Sequence, residues 1–133
     1  KVSDLSFRQN LIGFTDSTLL SPSISDQLLF VEHTGQLVGY TFDGGIKSCF
    51  GTTVVTTGIW HSAVITFKDN DKMIVYLDGA WEAEVAIGTR WAGGDRHLMG
   101  RITDDITLDE VVFYDRALTP EDVLQYHQAQ FGV

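Results

Sequence analysis

The sequence holds one cysteine, Cys49, among 133 residues. No intrachain disulfide can form, so the fold must rest on a packed core. Cys49 stands in the strand-like run Lys47–Val55 with no activating base signalled beside it. It is expected as a buried, inert thiol, and a single thiol does not decide the redox compartment. Basic residues are also scarce: 9 Lys and Arg face 18 Asp and Glu, for a net charge of −9. That balance disfavours nucleic acid and anionic membrane as partners, because both demand a basic face. It leaves cations, neutral sugars and basic proteins open, although solubility accounts for the charge more simply than a functional acidic surface does. No apolar run nears the roughly 20 residues of a membrane span, so membrane insertion is not expected. No signal peptide is visible, and the chain opens on Lys1 without a methionine, as expected of a processed or excised domain. Catalytic signatures are missing too. His33, His61, His97 and His127 fall at no metal-ligand spacing such as H-E-x-x-H, and neither G-x-S-x-G nor a P-loop occurs.

What is present describes one folded domain. Hydrophobic residues make up 44% and charged residues 20%, ordinary values for a globular chain long enough to bury a core. The stretch Trp60–Val85 organises the rest as three antiparallel strands. In His61–Lys68, Ala63, Ile65 and Phe67 alternate with Ser62, Val64 and Thr66. Asp69–Lys72 is a polar turn, and Met73–Leu77 is the second strand. Asp78-Gly79 is a two-residue hairpin signal, since a type I′ turn needs positive φ at both central positions. Ala80–Ala86 returns as the third strand. Such a meander needs a second sheet over its apolar face. Further strands are expected at Ser6–Phe14, Gln27–Glu32, Gln36–Asp43, Ile46–Thr56, His97–Ile102 and Leu108–Tyr114, with Thr15–Asp26 as a loop. The total is nine or ten short strands at sandwich spacing, without βαβ alternation, tandem repeats or linkers, in a single domain spanning residues 1–133.

The period changes at Thr119-Pro120-Glu121-Asp122. Thr caps free N–H groups, Pro fits the first helical position, and the carboxylates suit the positive end of the dipole. A helix is expected from Pro120 to about Gln130, docked by a stripe of Val123, His127 and Phe131 with Leu124 beside it.

Two stretches carry a family resemblance. Trp60-His61-Ser62-Ala63-Val64, followed by Val75-Tyr76-Leu77-Asp78-Gly79, resembles the W-H-x-A/V-x … V-Y-L-D-G core of laminin-G-like domains. Leu108-Asp109-Glu110-Val111-Val112-Phe113-Tyr114-Asp115-Arg116-Ala117-Leu118 resembles the closing I-D-E-V-R-I-Y-N/D-R-A-L of the same family. The resemblance implies an all-β fold: a two-sheet antiparallel jelly-roll sandwich of the concanavalin A-like type, related to pentraxins, here with one short C-terminal helix. It also implies an extracellular or cell-surface recognition module for glycans or proteins, many of whose relatives bind calcium. The chain looks short at its N-terminus by that standard. The family's last strand pairs with an opening strand, so the strand expected at Leu108–Tyr114 should have an exposed edge, an intermolecular partner or a different cover. Arg101–Thr107 also departs from the family's short lead-in.

Concanavalin A-like glycoside hydrolases carry E-x-D-x-x-E on one strand, and this chain has no such run. Glu82 and Glu84 share a strand face by parity and are expected on a solvated outer surface. Sugar binding calls for exposed aromatics and planar polar groups. Trp60, Trp81 and Tyr40 read more readily as core, whereas Trp91 sits in the glycine-rich loop Gly88–Asp95 beside Arg90, Asp95, Arg96 and His97. The ligand-binding candidates are therefore Trp91, Arg90, Asp95 and His97, with Tyr40 as a further platform. Calcium needs clustered oxygens. Asp69 and Asp71 in one turn, and Asp105 and Asp109 near the closing strand, are the metal candidates.

The resulting expectation is a non-catalytic recognition module that binds carbohydrate or an extracellular protein through rim loops, with calcium as its only admitted cofactor. The alternative is a structural or assembly domain that forms a homo-oligomer through exposed strand edges and takes no small ligand.

Overall fold

The computed structural model describes residues 1–15, 25–90, 96–100 and 104–132, with the backbone alone at 14–15, 25–27 and 96–98. Among them are eight strands, β1 (Gln9–Thr15), β2 (Ser25–Val31), β3 (Gln36–Phe42), β4 (Ile46–Val54), β5 (Ala63–Phe67), β6 (Lys72–Leu77), β7 (Ala80–Ala86) and β8 (Arg96–Met99), and one helix, α1 (Pro120–Phe131). The strands form two sheets, β4-β3-β2-β1-β8 and β5-β6-β7, and every ladder is antiparallel. This is the expected all-β sandwich.

Local chemistry explains the elements. Asp78 and Gly79 both adopt positive φ, 51° and 81°, as the β6–β7 hairpin requires. The sheets meet over Leu29, Leu37, Met73, Val75 and Leu77, all buried. Gly39 permits the approach of β3 to β6, because a Cβ there would lie 2.7 Å from Val75 Cγ1 and 3.0 Å from Ile65 Cδ1. Cys49 is buried in the same core, and burial pushes its thiol up to about 11, so it is the inert cysteine anticipated. Helix α1 opens on a capping box between Thr119 and Asp122 and closes at Gly132 in the left-handed region. Val123 and His127 are its buried residues.

Three expectations are corrected. Trp81 is exposed and Glu82 is buried, because the β6–β7 register slips between Val75↔Ala83 and Tyr76↔Trp81. A bulge there reverses the in–out phase of β7. Trp81 is thereby released from the face of Ala83, Val85 and Ile87, and Glu82 is parted from Glu84. Trp60 is half-exposed as well, with Lys1 Nζ 5.9 Å from its ring centre. Leu124 lies outside the helix's buried stripe, and Phe131 only stacks on the His127 ring at 4.8 Å.

The third correction concerns Leu108–Tyr114, which has strand-like sequence yet belongs to no strand. A strand's N–H and C=O groups need a neighbouring strand, and the edge of β5 lies across a cleft. The Glu110 carbonyl instead accepts from Tyr126 Oη on α1 at 3.1 Å. Val111, Val112, Phe113 and Tyr114 remain 40–59% exposed.

Candidate functional site

A cleft of about 970 Å³ separates β5 from the Thr107–Leu118 segment. Its floor is apolar, made by Leu11 and Ile12 of β1, Leu28 and Leu29 of β2, and Leu37 of β3. Arg90 stands at its lining.

The base of the glycine-rich loop is pinned beside this cleft. Gly88 N donates to Asp43 Oδ2 at 2.6 Å, and Thr89 Oγ1 donates to Asn70 Oδ1 at 3.3 Å. Arg90 N donates to Asp69 Oδ1 at 3.5 Å. The Arg90 guanidinium lies 3.8 Å from the Phe67 ring centre, and its Nε donates to Thr41 Oγ1 at 3.0 Å. Stacking on an aromatic face is a favourable setting for guanidinium. The guanidinium is thereby held at the cleft wall. Thr41 and Phe67, which hold it there, escaped the sequence reading, since both look like ordinary strand residues.

Tyr40 precedes Thr41 on β3, so its side chain leaves the strand on the opposite face from the residue that Arg90 grips. The candidates Trp91 and Asp95 lie outside the described residues. His97 is described by its backbone alone, paired with Phe14 in the β1–β8 ladder.

The four metal candidates occupy two separate places. Asp69 and Asp71 flank the β5–β6 turn, where Asp69 accepts from Arg90 N and Asp71 lies 3.4 Å from Lys68 Nζ. Asp105 uses its backbone N–H on Gln9 Oε1 at 2.7 Å, and Asp109 Oδ1 accepts from Glu110 N at 2.9 Å. Among the described residues no group of three or more His, Cys, Asp or Glu side chains could hold a metal ion.

One cluster has the residue types of a catalytic triad but not its connectivity. Ser62 Oγ and His127 Nδ1 share a hydrogen bond at 2.8 Å. Asp78 Oδ2 lies 2.7 Å from His61 Nδ1, and its Oδ1 accepts from Ser62 N at 3.0 Å. The carboxylate thus orients one histidine while the hydroxyl bonds the other, whereas a triad needs both on the same ring. The arrangement instead clamps α1 to the start of β5 and the β6–β7 turn, where Gly79 closes against His127. Nothing local in the sequence joins Ser62 to a histidine 65 residues further on. Glu82 is likewise engaged: it accepts Thr52 N at 2.7 Å and Thr53 N at 2.8 Å, and both threonine hydroxyls as well.

A laminin G family model (Laminin_G_3), described as concanavalin A-like lectin/glucanases superfamily, matches residues 11–124. No curated protein matches the chain. Among solved structures, an S-layer domain-containing protein from Clostridium thermocellum is similar at 16% identity and a TM-score of 0.43, over 86% of this chain and 60% of that one. The chain thus spans less than two thirds of that protein's solved region, and a likeness of that strength carries no functional inference.

Proposed function

The chain belongs to the laminin G family of the concanavalin A-like superfamily, whose domains are generally non-catalytic binding modules, and from that premise we propose that it is a recognition module binding a glycan or an extracellular protein at the rim around Arg90. The observation that carries the reading is the double seating of Arg90, stacked on Phe67 and bonded to Thr41. A side chain fixed before the ligand arrives loses little entropy on binding, and it sits at the base of the loop that carries Trp91. A guanidinium fork suits sugar hydroxyls or a partner's carboxylate. The non-catalytic part of the reading is supported by the engagement of Ser62, His61, His127 and Glu82 in internal bonds.

The test is tryptophan fluorescence against a panel of neutral and acidic glycans, with and without calcium, in wild type, Arg90→Ala and Trp91→Ala. The expected result is a saturable shift that Trp91→Ala abolishes and Arg90→Ala weakens by roughly tenfold or more. A response identical in all three proteins, or none to any glycan together with no capture of an extracellular protein ligand, overturns the reading. Trp60 and Trp81 are exposed enough to report unrelated contacts, so the variants decide the outcome. A calcium-dependent shift would send the search for ligands to Asp105 and Asp109 or to Asp69 and Asp71.

A further inference from the structure

We propose that the solvent-facing side of the β6–β7 hairpin carries a ligand site separate from the rim around Arg90. It is a stacking platform for a neutral pyranose, built from Trp81, Glu84 and Lys72. This goes beyond the rim reading and is independent of it.

A single exposed tryptophan is no site by itself, since scattered apolar side chains are ordinary on protein surfaces. Three observations set Trp81 apart. First, the fold turns it outward. By alternation its indole belongs with Ala83 and Val85, which pack against the core, yet the bulge opposite Tyr76 releases it into solvent, 56% exposed. Bulges re-aim side chains beside functional surfaces. Second, the outward phase is locked from the other sheet. Glu82, the next residue, accepts the N–H groups of Thr52 and Thr53 at 2.7 and 2.8 Å and both of their hydroxyls. Trp81 cannot turn inward without breaking these bonds. Third, the ring itself is held. Its Nε1 donates to Glu84 Oε2 at 3.4 Å, and Lys72 Nζ lies 3.3 Å from Glu84 Oε1 and 3.5 Å from Oε2. That bond uses the edge of the indole and not its faces, so stacking does not compete with it.

The three side chains share one face of the sheet. Glu84 stands opposite Ile74 in the ladder, and Lys72 precedes Ile74 by two residues, which puts them on the same side. The ligand class follows from their chemistry. An indole face takes the apolar side of a sugar ring. A carboxylate with an ammonium beside it supplies an acceptor and donors to the neighbouring hydroxyls. A carboxylate has about four acceptor positions and an ammonium three donors, so the contacts between Glu84 and Lys72 leave capacity for a ligand. Their opposite charges cancel, which favours a neutral, hydroxyl-rich ligand over an ionic one. The platform is a sheet surface and not a pocket, so binding is weak, with a Kd on the order of 1 mM.

Nuclear magnetic resonance of the whole chain tests this, because the indole Nε1–H of each of the three tryptophans gives its own signal. Single Trp→Phe variants assign them. The probes are cellotetraose, mannotetraose, xylotetraose and maltotetraose, each raised to about 10 mM, where a millimolar site is nearly filled. The expected result is a saturable shift of the Trp81 signal with at least one of these sugars. The Trp91 signal reports the rim separately, so failure here and failure of the rim reading are told apart. Trp81→Ala, followed at the backbone amides of Ile74 and Glu84, should weaken binding roughly tenfold or more. Trp81→Tyr, which keeps a stacking ring, should recover most of it. Glu84→Ala should weaken it about two- to tenfold. A Trp81 signal that stays still with every sugar, a response confined to Trp91, or binding that Trp81→Ala leaves unchanged overturns the proposal. So does a Trp81 signal that moves only when an extracellular protein is added, which would make the patch a protein-docking surface.

Discussion

Glu82 on β7 accepts the backbone N–H of Thr53 on β4 at 2.8 Å and its hydroxyl at 2.7 Å. With the matching pair from Thr52, one carboxylate closes the margin where the two sheets meet. Bonds to an ionised acceptor contribute more than neutral ones, and removing the carboxylate strips four donors at once. Glu82→Ala should therefore cost roughly 1.5–3 kcal/mol, and Glu82→Gln, which keeps the shape but not the charge, about 1. Urea unfolding of both variants checks the order. Equal stability of Glu82→Ala and wild type would mean that water replaces the carboxylate without loss.

Acid should destabilise the fold through two hydrogen-bonded carboxylates, Glu82 buried and Glu32 partly so. At Glu32, burial pushes the pKa up, but hydrogen bonds from His33 and Arg8 outweigh it and hold the carboxyl at about 2, against an ordinary 4.5. At Glu82, burial also pushes up, and the donors of Thr53 and Thr52 bring the net shift down. A folded-state pKa below the unfolded one means that the unfolded chain takes up the proton first. The stabilisation is complete above about pH 4.5 and disappears as the pH falls toward 2. Arg8 is 45% exposed, so solvent screening leaves the Glu32 contribution near 1 kcal/mol. Unfolding midpoints between pH 6 and 2.5 should fall, and the fall should be shallower in Glu32→Gln, which no longer titrates there.

Ser62→Ala should loosen α1. It leaves His127 Nδ1, otherwise bonded at 2.8 Å, without its partner in a buried position, at a cost of about 1–3 kcal/mol. Amide hydrogen exchange locates the effect: protection should drop across Pro120–Phe131 ahead of β6. A uniform drop through the whole chain would instead place the helix within the global cooperative unit.

The legible parts of this fold are those decided by neighbours in sequence. Asp78-Gly79 and Thr119-Pro120 carry their turn and cap chemistry within a few residues, and both elements stand as read. The alternation read along β5 also stands, since Ala63, Ile65 and Phe67 pack against the core. The inversion of Trp81 and Glu82 did not, because a bulge is a relation between two strands and the β6 register that creates it lies elsewhere in the chain. The same reason separates the pattern of Leu108–Tyr114 from its pairing: hydrophobicity marks a strand, but a ladder needs an available edge. At the candidate site Arg90 was legible as a polar residue on a glycine-rich loop. Its seats, Thr41 and Phe67, were not, since contacts across a sandwich leave no local signal.

Tyr76 gives the sharpest test of the interior. It is 1% exposed, and its hydroxyl is buried without a hydrogen-bond partner among the described residues. Burial, with the nearby charges of Glu84 and Glu121, pushes its pKa upward. An unsatisfied buried hydroxyl forfeits its hydration with nothing in return, a penalty of about 1–3 kcal/mol. Phenylalanine keeps the ring and removes the oxygen, at the risk of a void smaller than a methyl group. Tyr76→Phe should therefore be neutral or raise stability by about 1 kcal/mol, some 4 °C in Tm for a domain of this size, whereas most core substitutions lower it. Thermal unfolding decides between the two. A loss of more than 1 kcal/mol would show that the hydroxyl has a bonded partner, and an ordered water between β6 and α1 would then be the first place to look.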